Sequence, residues 1–204
     1  MNRLPDYGSA EYWDARYISE GNRTSRDAYF PYSVIQKGLE PFFKPSKAER
    51  ILIVGCGTSS MGHDMLAAGF RDITCMDFSP AAIRIVTQRQ APPIDGQPAL
   101  KYVLMDVRDM AAFPSESFDA VIDKGVLDSV VCGVANSAGA SQMMNEIHRV
   151  LTADGACFVF SNGSYASRAP YVDSNAVSWQ INQISIGQPA HFVALYLRKK
   201  SLAT

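Results

Sequence analysis

One short stretch, ILIVGCG at residues 51–57, constrains the fold of this chain more than any other. Four apolar residues, rich in β-branched side chains, run directly into Gly55, Cys56 and Gly57. Such a run is typical of a strand that is buried on both faces of a parallel sheet. Glycines at its carboxyl end let the backbone turn sharply and approach a ligand, in the crevice where open α/β sheets bind cofactors. The stretch therefore predicts a site for a nucleotide-like cofactor.

The composition is that of one globular domain. With 204 residues, of which 47% are hydrophobic and 19% charged, the chain can bury a core and is unlike disordered or fibrous proteins. A net charge of −1 gives no reason to expect a nucleic-acid partner, and no run approaches the roughly 18 apolar residues of a membrane span. Scattered cysteines without a CxxC pair, together with isolated histidines, predict no metal site and no disulfide framework. We expect a cytoplasmic protein that is a monomer or a weak dimer.

The order of the predicted elements is that of an α/β fold. Strands are predicted at 51–55, 73–78, 100–107, 118–125 and 156–162, and helices at 59–68, 80–90, from 127 onward and at 141–151. A small-residue segment at 134–140 is expected to be a mobile loop. Segments 177–186 and 191–199 read as strands joined by a loop too short for a crossover, which predicts an antiparallel hairpin. The pattern therefore predicts a Rossmann-like, mostly parallel seven-stranded sheet with helices on both faces and a C-terminal antiparallel hairpin.

Residues 1–45 are rich in aromatic side chains and are predicted to form a helical cap on a core that spans 46–204, the two together making a single domain. Ser9 predicts the start of a helix that ends near Tyr17, and a second helix is predicted from about Tyr32 to Phe43. The aromatic side chains either pack the helices onto the sheet or form a lid over the cofactor.

Two acidic residues are placed to recognise an adenosine group. Asp77 ends the second predicted strand, where a carboxylate can accept hydrogen bonds from both ribose hydroxyls. Its alternative role is to cap the next helix, but Ser79 already supplies that cap. Asp106, followed by Val107, lies at the end of the third strand and either accepts a hydrogen bond from an adenine amine or belongs to a surface turn. Because parallel strands end at one edge of the sheet, the two carboxylates support each other.

Several motifs together resemble the class I S-adenosylmethionine-dependent methyltransferases. They are the glycine turn, Asp77, Asp106-Val107, the run FPSESFDAVID at 113–123 and the terminal hairpin. Two more, YWDARY at 12–17 and DKGVLD at 123–128, are similar to the YWDxRY and DKGxLD motifs of a narrower group. That group is the methyltransferase-like branch that includes the elongation factor 1-alpha lysine methyltransferases.

The resemblance implies S-adenosylmethionine as the cofactor. The cofactor-binding residues that it implies are Tyr12, Trp13, Arg16, Gly55, Cys56, Gly57, Asp77, Phe78, Asp106, Val107 and Asp123. In this set the glycines approach the methionine portion and the ribose, while the residues of the YWDARY motif help to close the site, with Arg16 facing the cofactor carboxylate. Asp123 and Lys124 are the implied catalytic residues near the transferred methyl group, where Asp123 can hold the acceptor ammonium and desolvation favours the neutral amine. The alternatives are that Asp123 caps the strand end or pairs with Lys124, and that Lys124 is a solvated neighbour.

The function implied by the resemblance is methyl transfer to a protein lysine, with elongation factor 1-alpha as a possible substrate. The sequence departs from the branch at 28–32, AYFPY, where members often carry an EWYG-like segment, and this departure bears on the protein substrate more than on the cofactor. The alternatives are a small-molecule methyltransferase, a non-catalytic scaffold and a nicotinamide-binding oxidoreductase. Ser60, in the third glycine position of GxGxxG, disfavours the oxidoreductase.

Three further residues have open roles. Asp128 lies either in the site or on a helix surface, and Ser161 and Ser164, which follow the fifth strand, are candidates for the lining of an acceptor pocket.

Overall fold

The computed structural model describes residues 5–21, 27–43, 49–90, 99–133, 136–173, 178–187, 189 and 191–200. The strands are β1 (Arg50–Val54), β2 (Asp72–Asp77), β3 (Lys101–Leu104), β4 (Phe118–Lys124), β5 (Leu151–Ser161), β6 (Trp179–Ile184) and β7 (Val193–Lys199). The helices are α1 (Ala10–Glu20), α2 (Tyr32–Leu39), α3 (Met61–Ala67), α4 (Pro80–Arg89), α5 (Val126–Cys132), α6 (Asn136–Val150) and α7 (Tyr165–Val172).

All seven strands form one sheet in the order β3-β2-β1-β4-β5-β7-β6. The first five strands in that order run parallel, and β7 is antiparallel to both β5 and β6. The predicted α/β fold class is therefore confirmed, including the antiparallel hairpin at the C-terminal end.

The apolar run of β1 is buried on both faces of the sheet, as its composition predicted. Ile51 and Ile53 belong to a hydrophobic core that includes side chains of α2 and α3, whereas Leu52 and Val54 belong to a second core with side chains of α5 and α6. Because successive side chains of a strand point to opposite faces, one continuous apolar run can serve both cores.

Two predicted helix starts are confirmed by their caps. The Ser9 Oγ accepts a hydrogen bond from the Tyr12 N–H at 3.1 Å, and the Ser79 Oγ accepts one from the Ala82 N–H at 3.1 Å. Pro80 is the first residue of α4, where its missing N–H and fixed φ do no harm. Among the described residues, no helix is long and apolar enough to cross a membrane.

The segment predicted as a mobile loop is helical from its third residue onward. Residues 136–140 form the beginning of α6, while 134 and 135 lie outside the described residues. Ala140, Met143, Met144 and Ile147 are fully buried and recur at the spacing of one helix face. The prediction of a loop was wrong because the apolar stripe of α6 extends back into the small-residue segment.

Other boundaries also differ from the prediction. β5 begins at Leu151, five residues before the predicted start at 156, and its pairing with β4 is irregular between Phe118 and Ala120. β3 ends at Leu104, before the predicted 107, and α2 ends at Leu39 rather than at Phe43. Helix α7 was not predicted.

Candidate active site

A cavity of about 360 Å³ opens at the carboxyl ends of β1, β2 and β4. One side of it is formed by the turn after β1 and by residues that follow β2 and β3, and the other by α1 and residues 27–29. Open α/β sheets bind ligands at this edge, where the strand order reverses, here between β1 and β4. The volume falls in the range of roughly 300–1,000 Å³ that is typical of small-molecule sites.

The turn after β1 needs both of its glycines. Gly55 has φ 55° and Gly57 has φ 50°, in the left-handed region that a side chain disfavours. A Cβ on Gly55 would lie 2.1 Å from the Val126 Cγ2, and a Cβ on Gly57 would lie 2.6 Å from the Tyr17 Oη. The glycines therefore let α5 and α1 approach the turn, and Gly55, Cys56 and Gly57 all line the cavity, as the prediction of their role requires.

Gly62 performs the packing role of the third glycine in a dinucleotide-binding turn. A Cβ at this position would lie 3.0 Å from the Cys75 Sγ and 3.1 Å from the Leu100 Cδ1, so a glycine lets α3 pack closely against the sheet. In the GxGxxG pattern the third glycine would be at position 60, which is Ser60 here, and the close contact lies two residues further along the chain.

Asp77 binds the glycine turn to the end of β2. Its Oδ2 accepts a hydrogen bond from the Gly57 N–H at 2.8 Å, and its Oδ1 accepts one from the Ser79 N–H at 2.9 Å. Burial raises the pKa of this carboxyl to about 6, and the backbone hydrogen bonds oppose that rise. Asp77 and the adjacent Phe78 both line the cavity.

Helix α1 is fixed to the N-terminus of α4 by Asp14, a residue of the YWDARY motif for which no separate role was predicted. The Asp14 Oδ1 accepts hydrogen bonds from the Ser79 Oγ and from the Ala81 N–H, both at 2.7 Å. The Ala81 N–H and the Ser79 hydroxyl lower the pKa of Asp14, because both bonds favour the charged form. A carboxylate at the N-terminus of α4 also interacts favourably with the helix dipole.

The aromatic residues of α1 form one wall of the cavity. Trp13 and Arg16 line it, and the Trp13 Nε1 donates a hydrogen bond to the Tyr7 carbonyl at 2.7 Å. The Arg16 guanidinium lies over the Trp13 ring at 5.3 Å and donates to Glu20 Oε1 at 3.0 Å and to the Tyr12 Oη at 3.1 Å. Tyr12 is not part of the lining; its hydroxyl holds Arg16, and its own contact with the cofactor stays a prediction.

Asp106 lines the cavity but is already paired. Its two carboxylate oxygens accept hydrogen bonds from the Arg108 guanidinium at 2.5–3.1 Å, and Oδ1 also accepts one from the Arg108 N–H. Burial acts to raise the pKa of Asp106, but the bonds from Arg108 outweigh it and the net shift is downward. Val107 is buried beside the pair and also lines the cavity.

Asp123 does not line the cavity, so its predicted contact with cofactor and acceptor stays a prediction. The residue is 0% exposed, and its carboxylate accepts hydrogen bonds from the Val126 N–H at 2.7 Å and from the Leu127 N–H at 3.2 Å. Burial raises its pKa to about 7, and the nearby charge of Asp128 adds to the rise. The structure therefore gives Asp123 the role of capping α5.

Lys124, the other predicted catalytic residue, does line the cavity. Its Nζ lies 2.5 Å from the Asp27 Oδ1 and donates a hydrogen bond to the Phe30 carbonyl at 3.1 Å. Burial lowers the pKa of the lysine, while Asp27 opposes that shift. The Asp27 Oδ1 also accepts a hydrogen bond from the Ser59 Oγ, so the ion pair links the end of β4 to the turn after β1.

Asp128 is buried next to the cavity rather than on a helix surface. It accepts hydrogen bonds from the Tyr29 Oη at 2.5 Å, the Arg168 Nε at 3.0 Å, the Asn162 N–H at 2.7 Å and the Ser161 Oγ. Tyr29 itself lines the cavity. The network therefore connects α7 to the wall of the site.

Neither serine that was predicted as a candidate for the acceptor pocket lines the cavity. Ser161 is bonded to Asp128, and Ser164 caps α7 by accepting a hydrogen bond from the Ser167 N–H.

The residues that line the cavity and were not predicted from the sequence include three polar side chains, those of Asp27, Tyr29 and Arg108. The departure from the EWYG-like segment at 28–32 was the one signal near Tyr29, and no local pattern marks the other two. Within the part of the chain that the structure describes, no group of three or more His, Cys, Asp and Glu side chains could hold a metal ion.

Comparisons with known proteins agree with this geometry. The family model described as a methyltransferase domain matches residues 52–159. The chain is 30% identical to EEF1A lysine methyltransferase 4 of Bos taurus over 95% of this chain and 76% of that protein, and 27% identical to the Mus musculus protein of that name over 91% and 73%. Magnesium protoporphyrin IX methyltransferase from Synechocystis, solved with bound SAM, has a TM-score of 0.63 at 14% identity, covering 98% of this chain and 100% of that one.

Proposed function

This chain belongs to the methyltransferase-domain family, and we propose that it transfers a methyl group from S-adenosylmethionine to the side-chain amine of a protein lysine. Relatives that are named as lysine methyltransferases and align over most of the chain support the acceptor. The likeness to a methyltransferase structure that holds S-adenosylmethionine supports the cofactor. The observation that carries the proposal is the glycine turn held by Asp77 in the wall of the cavity.

The residues of the cavity fit this cofactor chemically. After accepting two N–H bonds, the Asp77 carboxylate keeps lone pairs for ribose hydroxyls. Phe78 and Val107 offer apolar surface for adenine, and Asp106 can accept from its amine while remaining paired with Arg108. Three inter-strand spacings of ~4.8 Å separate the ends of β3 and β4, so about 14 Å of sheet edge is available for an extended nucleoside with an amino-acid tail.

Arg16 suits the carboxylate of that tail. It lines the cavity, and its contacts with Glu20 and Tyr12 use the Nε and one Nη1 donor of a group that has five. The paired side chains also fix the direction of the guanidinium. We therefore assign to Tyr12 a supporting role and to Arg16 the direct contact.

When bound, S-adenosylmethionine supplies a methyl group on a positively charged sulfur, and the sulfur keeps the electron pair of the C–S bond that breaks. The lysine amine must be uncharged when it reaches the methyl group, because its lone pair forms the new N–C bond. A lysine that is bound as an ammonium therefore first loses its extra proton to solvent. The residues of this chain contribute by placing the amine in line and by excluding water. At the end of β4, Lys124 and Asp27 form an ion pair without net charge. This part of the wall therefore does not stabilise the acceptor in its charged ammonium form.

A transfer assay tests the proposal. The purified protein is incubated with methyl-labelled S-adenosylmethionine and either a cell extract or purified elongation factor 1-alpha, which the names of the relatives suggest as the first substrate to try. We expect label in a protein band and, by mass spectrometry of that band, on a lysine. The Asp77→Ala variant, which removes the bond to Gly57, serves as the negative control. Label confined to small molecules, or no label at all, would overturn the proposed acceptor.

A further inference from the structure

Tyr29 is held in a conformation that tyrosine normally avoids. Its φ is 62°, and the Phe30 N–H donates a hydrogen bond to the Ala28 carbonyl at 2.7 Å, which makes Tyr29 the centre of a rare three-residue turn. Such strain persists only where the surroundings impose it, and it concentrates at functional sites. The conformation directs the ring into the wall of the cavity, where a Cβ on Gly125 would lie 2.8 Å from the Tyr29 Cε2.

The phenol oxygen of Tyr29 has a fixed direction. It donates its proton to the Asp128 Oδ2 at 2.5 Å, and burial together with this bond raises the pKa of the phenol, so the group remains protonated at neutral pH. Having donated its one proton, the oxygen keeps its lone pairs for a donor in the cavity. Asp128 is held in turn by Arg168, at 3.0 Å, and does not line the cavity itself.

The position of Tyr29 suits contact with an acceptor rather than with adenosine. It packs against Gly125, directly after β4, whereas Asp77 ends β2 and Asp106 follows β3, both on the opposite side of β1. With 41% of its surface exposed, the side chain can also be reached from outside by a group on a macromolecule.

We propose that Tyr29 orients the acceptor: its phenol oxygen accepts a hydrogen bond from an N–H of the neutral lysine amine, which directs the amine lone pair toward the methyl group. Asp128 is the positioning residue that fixes the direction of the phenol. This inference rests on the proposed function of lysine methylation. Tyr29 gains and loses no proton in the transfer, and we expect the affinity for the cofactor not to depend on its hydroxyl.

The first test is the Tyr29→Phe variant, which keeps the ring and removes the hydroxyl. We expect kcat for lysine methylation to fall about 10-fold, as for the loss of one well-placed hydrogen bond, while the affinity for S-adenosylmethionine measured by calorimetry stays unchanged. Tyr102→Phe, on β3 and outside the cavity lining, is the matched control and should keep the wild-type kcat. A wild-type kcat in Tyr29→Phe would overturn the inference.

A double-mutant cycle tests Asp128. Asp128→Asn, which retains an acceptor oxygen but no charge, should lower kcat about 3-fold in the wild-type background and leave it unchanged in the Tyr29→Phe background. Thermal unfolding of each variant shows that the compared proteins are folded. An equal loss of kcat in both backgrounds would mean that Asp128 acts on the fold and not through Tyr29, which overturns its positioning role.

The two proposals fail in different ways. If the wild-type protein labels no lysine in the extract, the proposed function is wrong and the inference falls with it. If the wild-type protein labels a lysine and Tyr29→Phe does so equally fast, only the inference about Tyr29 is wrong.

Discussion

The two strands that flank β1 each carry a buried aspartate at or next to the carboxyl end, yet the two carboxylates have different roles. Asp77 is the last residue of β2 and is 4% exposed, while Asp123 is the next-to-last residue of β4 and is 0% exposed. Each accepts two backbone N–H bonds, and burial raises the pKa of Asp77 to about 6 and that of Asp123 to about 7. Only Asp77 lines the cavity.

The difference arises from the donors that compete for each carboxylate. After β2, the Ser79 hydroxyl caps α4, which leaves one Asp77 oxygen to bind the Gly57 N–H of the turn after β1. After β4, Gly125 adopts φ 92° and α5 begins at once without a side-chain cap of its own at that glycine. Both oxygens of Asp123 are then taken up by α5. Of these two acids, the one that reaches the cavity is the one whose following helix has another cap.

Removing the Asp77 carboxylate is expected to have the largest effect on the cofactor. Asp77→Ala removes the bond to the Gly57 N–H and the acceptor proposed for the ribose hydroxyls, so we expect the affinity for S-adenosylmethionine to fall roughly 100-fold, or about 2.7 kcal/mol. Isothermal calorimetry measures it. Asp72→Ala, at the start of the same strand in an exposed pair with Lys101, is the control and should bind like wild type. An unchanged affinity in Asp77→Ala would contradict the assignment.

The matching change at β4 should act on stability instead. Asp123→Ala leaves two N–H groups of α5 without their acceptor, and we expect the free energy of unfolding to fall by about 2 kcal/mol in urea titrations. Because Asp123 does not line the cavity, the affinity for S-adenosylmethionine should remain that of wild type. A fall in affinity as large as that of Asp77→Ala would erase the distinction between the two carboxylates.

Acidification should weaken cofactor binding through Asp77. With a pKa of about 6, its carboxyl is mostly charged at pH 7 and mostly protonated at pH 5, and only the charged form keeps all its acceptor positions. We expect the affinity for S-adenosylmethionine to fall about 10-fold between these pH values, with the loss complete only below the pKa. In Asp77→Asn, which does not titrate, this step should disappear; a step that persists there belongs to another group.

A smaller effect is expected where the N-terminal segment meets α5. A Cβ on Gly133 would lie 2.7 Å from the Gly8 Cα, and Gly8 lines the cavity, so Gly133→Ala should push this segment outward. The φ of Gly133 is −82°, which alanine adopts without strain. We expect about a 3-fold loss of affinity for S-adenosylmethionine, against none for the neighbouring exposed Cys132→Ala. Equal affinities for the two variants would show that this contact does not close the site.

Much of the fold could be predicted because it depends on local patterns. The apolar run of β1 and the caps at Ser9 and Ser79 are short-range features, and all three have the predicted structure. The prediction failed at 136–140, where composition suggested a loop and only packing against the sheet reveals the buried face of α6. Element type therefore followed from periodicity, while boundaries depended on what each segment packs against.

The candidate site was predicted less evenly. The sequence predicted that Asp77 and Asp106 lie in one crevice, because strand ends in a parallel sheet share one edge, and both residues line the cavity. It could not show that the Tyr12 hydroxyl accepts a hydrogen bond from Arg16, or that the Asp123 carboxylate accepts its hydrogen bonds from α5. Both contacts depend on the direction of side chains in the folded chain.

By itself, the sequence determined the alternation of strands and helices, the glycine turn and the family to which its motifs belong, since each is written in residues that are close along the chain. Only the tertiary structure decided which acids face the cavity and which partners complete it. Lys124 meets Asp27 across 97 residues, and Asp128 meets Tyr29 across 99. Such contacts form only after the sheet and the N-terminal segment have packed together, so no local pattern of side chains encodes them.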